Sequence, residues 1–169
     1  MGLFDKLFNK EEVLEELVNI SDDDIVAIAD GNLIDVHTVS DPVFAQEMMG
    51  KSIAFKYDRD KVTLCSPVNG TLSVLFPTGH SYGLLANNGV EVLIHCGINT
   101  VESKGEGFKL LNKKQGDSVK AGDPIVEVDI KKLSKSYDMS TILIITNAND
   151  KDINFIDPQE VKRGQTLLK

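Results

Sequence analysis

A chain of 169 residues with 41% apolar and 26% charged side chains is long enough for one domain with a sizeable core. No apolar run reaches the ~18 residues of a membrane-spanning helix, and two cysteines, Cys65 and Cys96, are too few for a disulfide framework and read as reduced thiols. The net charge of −8 argues against a nucleic-acid partner, whose phosphates reward Lys and Arg, and by itself serves solubility or fast encounter with a basic face.

In residues 1–20, Leu3, Phe4, Leu7 and Phe8, then Val13, Leu14, Leu17 and Val18, recur at helical spacing, with Glu11, Glu12, Glu15 and Glu16 on the other face. The pattern predicts an amphipathic N-terminal helix, loosely attached, followed by an acidic linker over 21–24 and a main domain over 25–169. The glutamates disfavour anionic lipid, so a helix that packs on the body, or frays, outweighs a membrane-surface anchor. Asp5, Lys6 and Asn9 interrupt the first apolar cluster, so no secretory leader is read and a cytoplasmic protein is expected.

From Ile25 onward, short runs of Val, Ile, Leu and Thr alternate with Gly, Asn, Asp and Pro turns. Strands are expected at Val26–Ala29, Leu33–Val36, Ser52–Tyr57, Lys61–Ser66, Thr71–Phe76, Ser81–Ala86, Val90–Cys96, Ile125–Asp129, Ile142–Thr146 and Thr166–Leu168. Only Val43–Met49 and Lys131–Ser136 read as short helical turns. Many short strands without long interleaved helices give an all-β class, an antiparallel sandwich or barrel. Asp30-Gly31-Asn32-Leu33 echoes Asn69-Gly70-Thr71-Leu72, and Val119-Lys120-Ala121-Gly122 echoes Val161-Lys162-Arg163-Gly164. Paired echoes predict a pseudo-symmetric sandwich built from a duplicated unit.

Of the three histidines, His37, His80 and His95, the last two lie 15 positions apart around the turn Asn87-Asn88-Gly89. Asn-Gly is a strong hairpin signal. A loop of Ala86 to Gly89 sets His80 directly opposite His95; a loop one residue shorter leaves them diagonal neighbours, and imidazoles so placed can touch. Val90, Val92, Ile94 and Cys96 read as core, and Glu91, Leu93 and His95 as the other face. With direct pairing, His80, Tyr82 and Leu84 join that outward face, and Thr78 points the same way. A neutral imidazole is a nucleophile that can hold a phosphoryl group on nitrogen. A second imidazole can hydrogen-bond the phosphoryl oxygens, with Thr78 completing the relay, and an apolar rim would slow hydrolysis. Two polar fillers on a sheet surface would give the same spacing.

Gly89-Val90-Glu91-Val92-Leu93-Ile94-His95-Cys96-Gly97-Ile98-Asn99-Thr100-Val101 closely resembles the active-site signature of the glucose-type enzyme IIA proteins of the bacterial sugar phosphotransferase system. Phe76-Pro77-Thr78-Gly79-His80, Glu102 to Phe108, Asp41 to Ala45, Ser66 to Gly70 and the opening Met1 to Leu7 are similar to other stretches of that family. The resemblance implies an antiparallel β-sandwich of barrel-sandwich-hybrid type. It implies that His95 takes phosphate on Nε2 from a histidine-containing phosphocarrier protein and gives it to a cysteine on the IIB domain of a sugar permease. His80 would steady the phosphohistidine with support from Thr78, and Asp41, Val43, Phe44, Phe76, Leu93, Val101 and Glu102 would border the docking surface. No cofactor is implied, and a monomer is. Cys96, Asn99, Met49 to Ser52, Ala29 and His37 depart from the family's usual residues; none is Thr78, His80 or His95.

The stretch Val119 to Ile125 also resembles biotinyl and lipoyl carriers, but no hairpin-tip lysine follows in the expected setting. A zinc peptidase would want a third ligand. His80 and His95 could take an adventitious zinc with a partner's carboxylate. A regulator that reads the phosphorylation state is compatible with the carrier reading, because a phosphate adds about −1.5 to −2 charges. The sequence does not choose the sugar.

Overall fold

The computed structural model describes residues 14–169, and the described residues form two antiparallel sheets. The strands are β1 (Gly31–Ile34), β2 (Lys51–Lys56), β3 (Lys61–Cys65), β4 (Gly70–Leu75), β5 (Ser81–Ala86), β6 (Glu91–Cys96), β7 (Phe108–Leu110), β8 (Ser118–Val119), β9 (Pro124–Asp129), β10 (Thr141–Asn147) and β11 (Glu160–Val161). An eight-stranded sheet runs β11-β1-β2-β10-β6-β5-β4-β8 and a three-stranded one β3-β9-β7. Two short helices, α1 (Pro42–Ala45) and α2 (Ile130–Leu133), start at Asp41 and Asp129, whose carboxylates accept from Val43 N and Lys132 N.

Alternation along the strands produces two cores. The inner faces bury Leu33, Phe55, Leu72, Tyr82, Leu84, Val92, Ile94 and Leu143 against Val62, Leu64, Val126 and Val128 of the smaller sheet. Tyr82 crosses between the sheets, its hydroxyl donating to the Cys65 carbonyl at 2.7 Å. The intervening residues Ala54, Ile142 and Ile144 point to the opposite face of the large sheet. There Val36, Val39, Phe44 and Ile98 cover them in a second, smaller cluster. Ile142 pairs with His95, so the second cluster ends at that histidine.

The internal echo is structural. Gly31 pairs with Val161 and Gly70 with Val119, at the two ends of the large sheet. Arg163 N donates to Asp30 Oδ1 at 2.8 Å as Ala121 N donates to Asn69 Oδ1 at 2.8 Å; Gly164 N reaches Ala27 O as Gly122 N reaches Ser66 O. The strand order is thereby symmetric about the central β10–β6 pair, which contains His95.

Several expectations need correction. The helix expected over 1–20 does not extend through 14–20, which have no helical hydrogen bonding; its remainder, 1–13, lies outside the described residues. The 14–20 stretch lies on the body as a strap. Glu15 O accepts from Arg163 Nη2 at 2.7 Å and Ile20 O from Asn69 Nδ2 at 2.9 Å. The Leu17 side chain sits against both Gly122 and Gly164, where an added Cβ would come within 2.5 and 2.6 Å of it. Arg163 takes the Glu15 carbonyl, which a helix running to 20 would have bonded to Asn19 N, while Ile20 O would be unpaired at the end of such a helix. Val26–Ala29 and Thr166–Leu168 form only isolated bridges, Val26 with Thr166 and Phe155 with Leu168, because successive residues bond to different partners. Strands β7, β8 and β11 are not among the expected ones; they are two or three residues long, too short for an alternation to stand out.

Candidate functional site

The β5–β6 hairpin has the shorter of the two loops considered. Leu85 pairs with Glu91 and Ser81 with His95, leaving Asn87-Asn88-Gly89 between the arms. Tyr82 and Leu84 therefore face Ile94 and Val92 and are buried in the main core, not on the outward face with His95. His80 lies opposite Cys96, whose N–H donates to the His80 carbonyl at 2.7 Å. It precedes the first residue of β5 and follows Gly79, which has φ +77, so strict alternation does not govern it. Its ring turns to His95, the centroids 5.4 Å apart and edge to face.

Each imidazole has one nitrogen engaged. His95 Nδ1 is 2.8 Å from the Gly97 carbonyl oxygen. A carbonyl only accepts, so Nδ1 carries the proton and, in the neutral ring, the lone pair sits on Nε2. His80 Nδ1 is 2.7 Å from Thr78 Oγ1. Phe44 lies against His95 at 4.9 Å between centroids and Phe76 against His80 at 5.2 Å, both tilted. Burial lowers the pKa of both histidines. For His80 the neighbouring His95 lowers it further; for His95 the Gly97 bond and the Asp41 carboxylate oppose the shift. Both rings are held toward the neutral form.

The remaining expected residues surround this pair. Val43, Phe76, Val101 and Glu102 are exposed, Val101 at 52%. Leu93 and Asp41 are half-buried. Phe44, at 7% exposed, is part of the second cluster and lies against the His95 ring. His80 is 5% exposed and His95 half-buried. Cys96 points inward at 1% exposed, part of the main core, and burial pushes its thiol up to about 12. The expectations for these side chains omit the Gly97 carbonyl, a backbone group; its trace in the sequence is a glycine two positions after the histidine, at φ +80. Val74 and Leu85 extend the exposed apolar face along the sheet. Among the described residues, no third His, Cys, Asp or Glu joins the two imidazoles in a group able to hold a metal ion, and no helix is long and apolar enough to cross a membrane.

Residues 23–151 match the phosphoenolpyruvate-dependent sugar phosphotransferase system EIIA 1 family. The chain belongs to that family. The glucose-specific EIIA component of the phosphotransferase system of Staphylococcus epidermidis is 34% identical over 168 residues, covering 98% of this chain and 96% of that one. The component of the same description from Staphylococcus aureus is 36% identical over 169 residues, with 98% and 96% covered. Among solved structures, glucose permease IIA from Mycoplasma capricolum superposes with a TM-score of 0.79 at 34% identity, over 86% of this chain and 93% of that one. This EIIA chain is thus a phosphocarrier component of a sugar phosphotransferase system, with the β-sandwich fold of its relatives.

Proposed function

We propose that this EIIA protein carries its phosphate on His95 Nε2, with His80 and Thr78 as helpers. The observation that supports this most is the Gly97 carbonyl on His95 Nδ1, which leaves the Nε2 lone pair available beside a second imidazole. In the accepting step, that lone pair forms a bond to the phosphorus of a phosphohistidine on the histidine-containing phosphocarrier protein, as the donor's P–N bond breaks. In the donating step, a thiolate on the IIB domain of a sugar permease attacks the phosphorus and the P–Nε2 pair returns to His95. Nδ1–H stays in place throughout. With Thr78 donating to His80 Nδ1, the His80 Nε2–H is free to donate to a phosphoryl oxygen as charge moves. Positioning and charge stabilisation are the main demands of such transfer.

The protein partners are proposed to dock on the apolar rim of Val43, Phe76, Leu93 and Val101, with Asp41 and Glu102 at its polar edge. We place the protein in the cytoplasm as a monomer, reaching the membrane through the permease, with no resident cofactor and no nucleic-acid partner. An adventitious zinc would take the two imidazole nitrogens and a partner's carboxylate. A phosphate at the centre of this surface would also change which regulatory partners dock. The domain is proposed to span 25–169.

The test is transfer of labelled phosphate from phosphoenolpyruvate through the general phosphotransferase proteins. His95→Ala is expected to accept none. His80→Ala is expected to accept but to pass phosphate to IIB at least about a hundredfold more slowly. Undiminished labelling of His95→Ala, or equal onward transfer by His80→Ala, defeats the assignment.

A further inference from the structure

The proton position on His95 depends on one carbonyl, and that carbonyl is held by a loop far from the histidine hairpin in sequence. The loop Asp138–Ser140 leads into β10 and presents two backbone acceptors. Ile98 N–H donates to Asp138 O at 2.8 Å and Gly97 N–H donates to Ser140 O at 3.0 Å. These N–H groups stand on either side of the Gly97 carbonyl. With both peptide planes pinned, the carbonyl direction is fixed on His95 Nδ1.

The Asp138 carboxylate shapes this loop. Oδ1 accepts from the Ser140 backbone N–H at 3.0 Å and from the Ser140 hydroxyl at 2.8 Å, closing a tight turn. Oδ2 accepts from the Ser40 hydroxyl at 3.0 Å. Ser40 adjoins Asp41, the cap of α1, and α1 holds Phe44 against the His95 ring. One carboxylate therefore ties together both supports of that ring: the carbonyl on its nitrogen and the aromatic turn on its flank. None of the three bonds is to an imidazole.

We propose that Asp138 is a positioning residue for phosphoryl transfer, acting through Gly97 on the tautomer of His95 and through Ser40 on the placement of Phe44. The inference rests on the reading of His95 Nε2 as the nucleophile. Loss of the carboxylate frees the turn, loosens the Gly97 carbonyl and allows the ring to place its proton on Nε2, where it blocks attack.

The test uses full-length protein with ¹⁵N-labelled histidine. In the unphosphorylated wild type, long-range ¹H–¹⁵N spectra are expected to show neutral His95 protonated on Nδ1. Asp138→Ala is expected to give a mixture of tautomers and about tenfold slower phosphate acceptance. Asp138→Asn, which keeps an oxygen for the Ser140 N–H, is expected to restore the tautomer. Ser40→Ala is expected to keep the tautomer and raise several-fold the concentration of phosphorylated donor protein needed for half-maximal rate. Should Asp138→Ala fail to fold, Asp138→Glu, with its carboxylate displaced by one methylene, is read in the same way. A wild-type tautomer in the Ala (or Glu) variant, a tautomer shift that Asn fails to reverse, or a Ser40→Ala protein with unchanged donor dependence overturns the proposal. The tautomer is read before any phosphate is added, so this outcome is separate from whether wild-type His95 takes the label.

Discussion

His95 and His80 sit where burial favours a ring without charge, and this has two consequences with a definite sign. In the role proposed for His95 the reacting form is the neutral ring, so acceptance should hold as pH falls through the ordinary histidine value of 6.5 and decline only below it. A wild-type rate already halved above 6.5 contradicts this. The unfolded chain binds these protons more readily than the folded one, so stability should be complete above 6.5 and be lost as pH falls toward the depressed folded values. Urea unfolding across that window should flatten in a protein with both histidines replaced by glutamine. A third consequence concerns Gly97. Its φ is +80, and an added Cβ would lie 2.4 Å from Thr100 Cγ2 and 2.9 Å from Met139 Sδ, so Gly97→Ala should cost about 2–3 kcal/mol in a denaturant melt. The contact between the two imidazoles was legible in the sequence, because a 15-residue separation around Asn-Gly brings them together in either register. The faces of Tyr82 and Leu84 were not, because Asn87-Asn88-Gly89 marks a turn without fixing its length. The Gly97 carbonyl had no side chain to announce it.

At the scale of elements, patterning found the strands that bury one face and missed those that do not. β5 was read at its observed limits, and β2, β3, β9 and β10 within about a residue, since each has an apolar row against the core. β8 and β11 are two-residue edges held mainly by their pairing with Gly70–Thr71 and Gly31–Asn32, and such edges leave little trace in composition. The strap over 14–20 shows tertiary contacts overriding helical periodicity. Leu17 fills the space between two glycines, Glu16 meets Lys120 at 3.0 Å, and Arg163 binds the Glu15 carbonyl. Leu17→Ala should lower stability by about 1 kcal/mol, read from the urea midpoint. Deletion of 1–20 should leave phosphate acceptance intact, since the strap meets Asn69, Lys120, Gly122, Arg163 and Gly164, and Asn69, whose carbonyl accepts from Asn87 N, lies at the end of the β5–β6 hairpin away from His95. Loss of acceptance in a folded deletion variant would place part of the site in the N-terminal segment.

Over the whole molecule, the duplicated units give two similar ends and one dissimilar middle. The paired echoes were visible in the sequence and recur as matched registers, Gly31 with Val161 and Gly70 with Val119. The asymmetry was less visible: only one face of the central strands gains a covering turn with Phe44, and that cover stops at His95. The covered part sets Phe44 against the ring, and the open part leaves Val43, Phe76 and Val101 exposed beside it. Nothing in this geometry selects a sugar. The most direct test is a ¹⁵N–³¹P correlation spectrum of the protein after phosphorylation by the general phosphotransferase components. The account predicts a single phosphorus coupled to Nε2 of His95, with Nδ1 still protonated. Coupling to Nδ1, to His80 or to no histidine nitrogen would contradict it.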